Sequence, residues 1–195
     1  MVYRVFLLLV FLAIAIGGGA ASVWFALDNA PLTGRFTSGP WQAFPLLGTP
    51  QADPYSRARY ARSGGLPLGP SEGIVLTARE DSNGDPLRRT CTYVISGQLP
   101  PARLWTLHLT DADGGFLPDH GRKRAALHSR MVVYGEGNSL TVHVSRQPQP
   151  GNWLPSEGNG RMQVVLTLFD TSVAVTSDQF SDLRLPTITR ADCYA

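Results

Sequence analysis

Residues 104–110 read LWTLHLT and residues 140–145 read LTVHVS, and the alternation in these two runs decides the fold class. In the first, Trp105, Leu107 and Leu109 fall on one side of an extended chain and Thr106, His108 and Thr110 on the other. In the second, Leu140, Val142 and Val144 oppose Thr141, His143 and Ser145. A period of two marks a strand with one buried face. Working outward, the same pattern predicts strands over 73–80, 90–96, 127–134 and 162–170, with a last one near Ile188. Turn signals separate them at Asn83-Gly84, Asp113-Gly114, Gly135 to Asn138 and Gly158-Asn159-Gly160. Short strands at this spacing, with no helices between them, predict a mainly β domain, an antiparallel β-sandwich or jelly roll with polar outer or concave faces.

The composition agrees. Of 195 residues, 43% are hydrophobic and 16% charged, which suits one domain plus an appendage. With 20 Gly and 15 Pro the chain is too heavily punctuated for a helical bundle. A net charge of +2 is too balanced to point to nucleic acid, and none is expected as a partner. Lys123 is the only lysine and lies between Arg122 and Arg124, so a Walker-type phosphate loop is excluded.

The appendage is N-terminal. Residues 5–27, VFLLLVFLAIAIGGGAASVWFAL, carry no charge and are long enough as a helix to cross a bilayer. Arg4 precedes the run and Asp28 follows it, a bias that places the N-terminus in the cytoplasm. The expectation is a single-pass anchor in the inner membrane with the body, 28–195, in the periplasm, and Trp24 at the outer interface. A cleaved signal peptide is the competing reading, because Gly19-x-Ala21 offers small residues at a cleavage site. Gly17 and Ala21 lie four apart and would let a second helix approach, so a homodimer through them is one reading and the ordinary abundance of Gly and Ala in membrane helices is the other.

Residues 28–52 hold four prolines without apolar periodicity and read as a linker, whose second half, with Trp41, Phe44, Leu46 and Leu47, is expected to pack on the domain. The domain is then expected over 53–195. Asp53-Pro54 is an N-cap followed by proline at the first helical position, and YSRARYARS continues to the stop at Gly64-Gly65, giving one short soluble helix. Its arginines Arg57, Arg59 and Arg62 make a cationic face. Cys91 and Cys193 fit neither a redox Cys-x-x-Cys nor a zinc ribbon. In an oxidising compartment they are expected to form a disulfide; in a reducing one they are two thiols.

Several chemistries are excluded by motif. The one Gly-x-Ser-x-Gly, Gly69-Pro70-Ser71-Glu72-Gly73, precedes a predicted strand instead of following one and so is no nucleophile elbow, and no His-Glu-x-x-His occurs. Asp81-x-Asn83-Gly84-Asp85 and Asp111-x-Asp113-Gly114 cluster oxygen ligands, but the EF-hand glutamate positions hold Thr92 and Arg122, so both read as hairpin turns. Among His108, His120, His128 and His143, the pair His108 and His143 falls on polar strand faces, where two imidazoles with Asp111 or Asp113 nearby would form a metal or acid-base site. Trp153, in the run Gly151-Asn152-Trp153-Leu154-Pro155, is either a buried plug with Asn152 fixing the loop, or a stacking platform for a sugar. No cofactor is expected.

The stretch LPLGPSEGIVLTAREDSNGDPLRRTCTYVISGQLPPARLWTLHLTDADGG, the later GNWLP at residues 151–155 and VVLTLFDT at 164–171 together resemble the family catalogued as domain of unknown function 1214. The similarity runs over about residues 66–193 and is greatest to short, membrane-anchored bacterial members, with PARLWTL and the Asn152 to Pro155 block the most specific pieces. The resemblance implies a β-rich, jelly-roll-like domain and supplies no catalytic residue. The expected function is a membrane-tethered binding or accessory module of the cell envelope, with a glycan or protein partner. The alternatives are a metal-assisted or acid-base hydrolase built on His108 and His143, and a structural subunit of a membrane complex.

Overall fold

The computed structural model describes residues 2–29, 34–62, 64–65, 67–117, 126–171, 180 and 183–194. Helix α1, Val2–Asn29, opens the chain. Its span Val2–Leu27, with a mean hydropathy of 2.4, is long and apolar enough for a membrane anchor or a signal sequence. The body is two sheets packed face to face.

The larger sheet has six strands: β1 (Phe36–Ser38), β2 (Trp41–Ala43), β3 (Gly73–Ala78), β5 (Ala102–Asp111), β6 (Ala126–His128) and β9 (Met162–Thr171), in the order β1-β2-β3-β9-β5-β6. The smaller contains β4 (Cys91–Gly97), β7 (Leu140–Ser145), β8 (Asn152–Pro155) and β10 (Thr187–Cys193), in the order β10-β4-β7-β8. Alternation sets what each strand buries. Ile74, Leu76 and Ala78 of β3, Trp105, Leu107 and Leu109 of β5, and Met162, Val164, Leu166 and Leu168 of β9 line one inner face. Tyr93, Ile95, Val142, Val144, Leu154 and Ile188 line the other. Each of the Val, Leu, Ile and Met side chains among them contributes about 1.5–3 kcal/mol on leaving water.

Helix α2, Pro54–Arg62, forms where its start and stop signals lie, with the Asp53 carboxylate accepting the Ser56 N–H at 2.9 Å. It lies beside the C-terminal end of α1: Arg59 Nε donates to the Leu27 carbonyl, and the Arg62 guanidinium sits 5.0 Å from the Trp24 ring centroid. The last turn of α1 holds no basic residue, so Arg59 supplies the cation that its exposed carbonyls favour.

Three features differ from the sequence reading. The stretch read as linker contributes β1 and β2, while its expected packing on the domain is met by Trp41, fully buried with its indole N–H donating to the Pro186 carbonyl at 2.7 Å. A three-residue strand is too short for its alternation to be visible beside four prolines. The strand expected over 127–134 stops at His128, because the chain turns over Ser129 to Met131 and Asn152 takes both backbone groups of Val133. The sheets are also not wholly antiparallel, since β8 runs parallel to β7. Pro155 is tolerated there because β8 is an edge strand and one N–H need not be paired.

The turn after β3 ties the two sheets. Asp81, with its side chain fully buried, accepts the N–H groups of Asn83 and Asp85 at 3.0 Å each. Arg190 of β10 reaches its second carboxylate oxygen at 3.2 Å, as an ion pair outside hydrogen-bond angles. Ser82 and Ile188 exchange two further bonds, Ser82 N–H to the Ile188 carbonyl at 2.8 Å and Ile188 N–H to Ser82 Oγ at 2.9 Å.

Cys91 and Cys193 face each other across β4 and β10 and are joined in a disulfide that spans 102 residues of sequence. Closing a loop of that length restricts the unfolded chain by about 4–5 kcal/mol in the chain-entropy account. The full chain carrying Cys193→Ser is therefore expected to lose up to about 4 kcal/mol in urea unfolding. Thiol labelling of the unfolded, unreduced wild type should find no reactive cysteine; two per chain would contradict the bond.

Candidate functional site

In β5, Leu104, Thr106 and His108 alternate with buried Trp105, Leu107 and Leu109, and so point away from the core. β6 pairs with β5 so that His128 is opposite Thr106 and Ala126 is opposite His108. β9, on the other side, sets Phe169 opposite Leu104, Thr167 opposite Thr106 and Val165 opposite His108. Opposed residues share a face with Cβ atoms about 5 Å apart, and diagonal neighbours are about 7–8 Å apart. His108 and His128 are therefore diagonal neighbours on the outer face of the six-stranded sheet.

The two imidazoles differ in setting. The His108 ring packs against Phe116, with centroids 5.2 Å apart, and burial lowers its pKa below the ordinary 6.5. His128 is exposed, and its Nδ1 accepts the backbone N–H of Arg130 at 3.3 Å. Beside it, Arg103, Leu104, Thr106, His128 and Arg130 line an open cleft of about 540 Å³. Arg103 Nε lies 3.1 Å from Asp170 Oδ2, and both side chains are exposed.

The other predicted residues lie elsewhere. His143 is on β7, opposite Val94 on one side and Trp153 on the other, on the outer face of the four-stranded sheet. His108 and His143 therefore point outward from opposite sheets, and the shared imidazole site expected from the sequence does not form. Alternation places each on a polar face, but only strand order says which face. Asp111 Oδ1 accepts the N–H groups of Asp113 at 2.9 Å and Gly115 at 2.8 Å, the same arrangement as in the Asp81 turn. That carboxylate is spent on its own hairpin, and Asp113 gives the turn a backbone N–H. Among the described residues no three His, Cys, Asp or Glu side chains are grouped to hold a metal ion. His120 and the basic run Arg122-Lys123-Arg124 lie outside the described residues.

Trp153 is half-buried, and its indole N–H is shared between the carbonyl and hydroxyl oxygens of Ser145, at 3.1 and 3.0 Å. Its neighbours explain the GNWLP run: Leu154 is in the core, and buried Asn152 works as a three-way clamp. It accepts the Val133 N–H at 2.7 Å and donates to the Val133 carbonyl at 2.7 Å and the Thr141 carbonyl at 2.9 Å. Trp105 of PARLWTL is buried likewise, donating to the Tyr134 hydroxyl at 3.1 Å. Both motif tryptophans thus have their polar end satisfied inside the protein. What sequence reading missed is the pairing of His108 with His128 and the arginines at the cleft. The available signal was the apolar Leu127 between Ala126 and His128, hidden by the long connection between β5 and β6.

The class of protein defined by these features is a two-sheet β-sandwich that carries its polar chemistry on outer faces. The chain belongs to the DUF1214 family, described as proteins of unknown function, with the match running over residues 72–173, just over half of its length. Among solved structures it is similar to the VPA0106 protein of Vibrio parahaemolyticus, with 18% identity and a TM-score of 0.58 over 73% of this chain and 36% of that one. It is also similar to an uncharacterised protein from Burkholderia cenocepacia, with 18% identity and a TM-score of 0.48 over 94% of this chain and 52% of that one. At 18% identity the likeness to the Vibrio protein is one of fold, and the chain spans about a third and about half of the length of those two proteins. No curated protein matches it.

Two outcomes follow. Asn152→Ala strands the backbone groups of Val133 and the Thr141 carbonyl and is expected to cost about 2–3 kcal/mol in urea unfolding. For His108, the lowered native pKa means that the unfolded chain takes up the proton first. The stability it contributes is present above about pH 6.5 and is lost as the pH falls through the lower native value. Thermal melts between pH 7.5 and 5 should show a smaller acid-induced loss in His108→Gln than in the wild type.

Proposed function

We propose that the protein is a single-pass, membrane-tethered binding module of the bacterial cell envelope, with α1 in the inner membrane and the sandwich in the periplasm. The observation that carries this reading is the coexistence in one chain of a bare apolar helix and the Cys91–Cys193 disulfide. Disulfides persist where the surroundings are oxidising, which is the side of the membrane that the charges of Arg4 and Asp28 favour for the body. The Arg59–Leu27 and Arg62–Trp24 contacts support the tethered form, since they make α2 a collar at the end of the anchor and would hold the domain close to the headgroup layer. The absence of a catalytic motif and the open cleft on the larger sheet favour binding of a glycan or protein component of the envelope.

Fusing reporters after Ala195 tests the topology. A reporter active only outside the cytoplasm is expected to be active and a cytoplasmic one silent, and the reverse would overturn the reading. Carbonate extraction with intact mass tests the anchor: the chain should stay in the membrane fraction at full length, whereas a soluble product beginning at Ser22 would show a cleaved leader.

A further inference from the structure

The cleft beside His128 presents hydrogen-bond donors almost exclusively. Arg130 is exposed, and its guanidinium has no partner among the described residues. Arg103 gives Nε to Asp170 and keeps its two terminal nitrogens. Because His128 Nδ1 accepts the Arg130 N–H, the neutral ring carries its proton on Nε2, on the far side from that bond, so this imidazole too offers a donor. Thr106 adds a hydroxyl and Leu104 an apolar wall, with Phe169 directly opposite Leu104 on β9. Even with Asp170 counted, the two arginines leave one positive charge in excess. The volume, about 540 Å³, falls in the range of small-molecule sites, about 300–1,000 Å³.

We propose that this cleft binds a small amphipathic oxyanion, its carboxylate or phosphate group held by Arg130 and the Nε2–H of His128 with Arg103 at the rim, and its less polar body against Leu104. A guanidinium beside a ring N–H matches a planar or tetrahedral oxyanion, which supplies only acceptors, and Arg103 adds positive charge at the rim of the cleft. The β5–β6 pairing places Leu104, Thr106 and His128 together, and the turn that follows β6 supplies Arg130. It deepens the binding-module reading by naming a ligand class, and it does not depend on which side of the membrane the sandwich occupies.

The test uses the full chain in detergent micelles, with titrations at constant ionic strength followed by the histidine ring signals in NMR. The His128 signal is identified by its loss in His128→Gln. Benzoate supplies a carboxylate with an apolar body, inorganic phosphate an oxyanion alone, and benzyl alcohol the body without the charge. The expected result is a saturable shift of the His128 signal with benzoate, at least tenfold weaker in Arg130→Gln, unaltered in His143→Gln on the opposite sheet, and absent with benzyl alcohol. Tighter binding of phosphate than of benzoate supports the same site and assigns it to phosphate groups. Failure of both anions to move the His128 signal, or equal binding by Arg130→Gln with an unchanged melting temperature, would overturn the proposal, and neither result bears on the topology experiment.

Discussion

The rest of the domain hangs on β9. This strand, Met162–Thr171, comes from late in the sequence and inserts between β3 and β5, which are contributed by the first half of the body. Its inner residues Met162, Val164, Leu166 and Leu168 are all buried, and its ladder with β5 runs from Asp111 opposite Met162 to Ala102 opposite Thr171. A slip of one residue would move those four side chains to the outer face and bring Gln163, Val165 and Thr167 between the sheets, so the core holds the register tightly. Once β9 is in place, the cross-strand neighbours of β3 and β5 along it follow on both faces of the larger sheet, while the separate β5–β6 ladder sets the diagonal that relates His108 to His128.

The edges are managed by other means. β1 and β6, at the two ends of the larger sheet, have three residues each, too few to template pairing with another chain. On the smaller sheet, β8 carries Pro155, which removes a donor from the exposed edge. β10 is held covalently by the disulfide, electrostatically by Arg190 with Asp81, and through Ser82 and Ile188 by backbone bonds to the turn after β3. That turn belongs to the larger sheet and β10 to the smaller, so these bonds join the layers at one end of the sandwich.

The two outer faces are chemically unlike. On the smaller sheet, Trp153 lies beside His143 and spends its indole N–H on Ser145, which closes that part of the surface. On the larger sheet, Arg103, His128 and Arg130 leave donors unspent around an open cleft. The difference is one of satisfaction. A polar group already paired within the protein gains little from a ligand, while an unpaired guanidinium beside an apolar wall gains charge-assisted bonds.

Much of this was legible in the sequence, because it depends on neighbours along the chain. Period-two alternation located β3, β4, β5, β7 and β9 and separated buried from outward residues; the Asp53-Pro54 start and the Gly64-Gly65 stop bounded α2; the Asp81 and Asp111 turns were readable from side chains that bond their own backbone. The uncharged run over residues 5–27 and the two cysteines were equally plain, as was the resemblance carried by PARLWTL and GNWLP. Strand order was not legible. It placed β9 in the centre of the larger sheet, drew β1 and β2 out of a proline-rich stretch, sent His108 and His143 to opposite surfaces and put His128 next to His108. The reason is physical: alternation within a strand is a local consequence of backbone geometry, whereas the choice of neighbouring strand is made by the packing of side chains far apart in sequence.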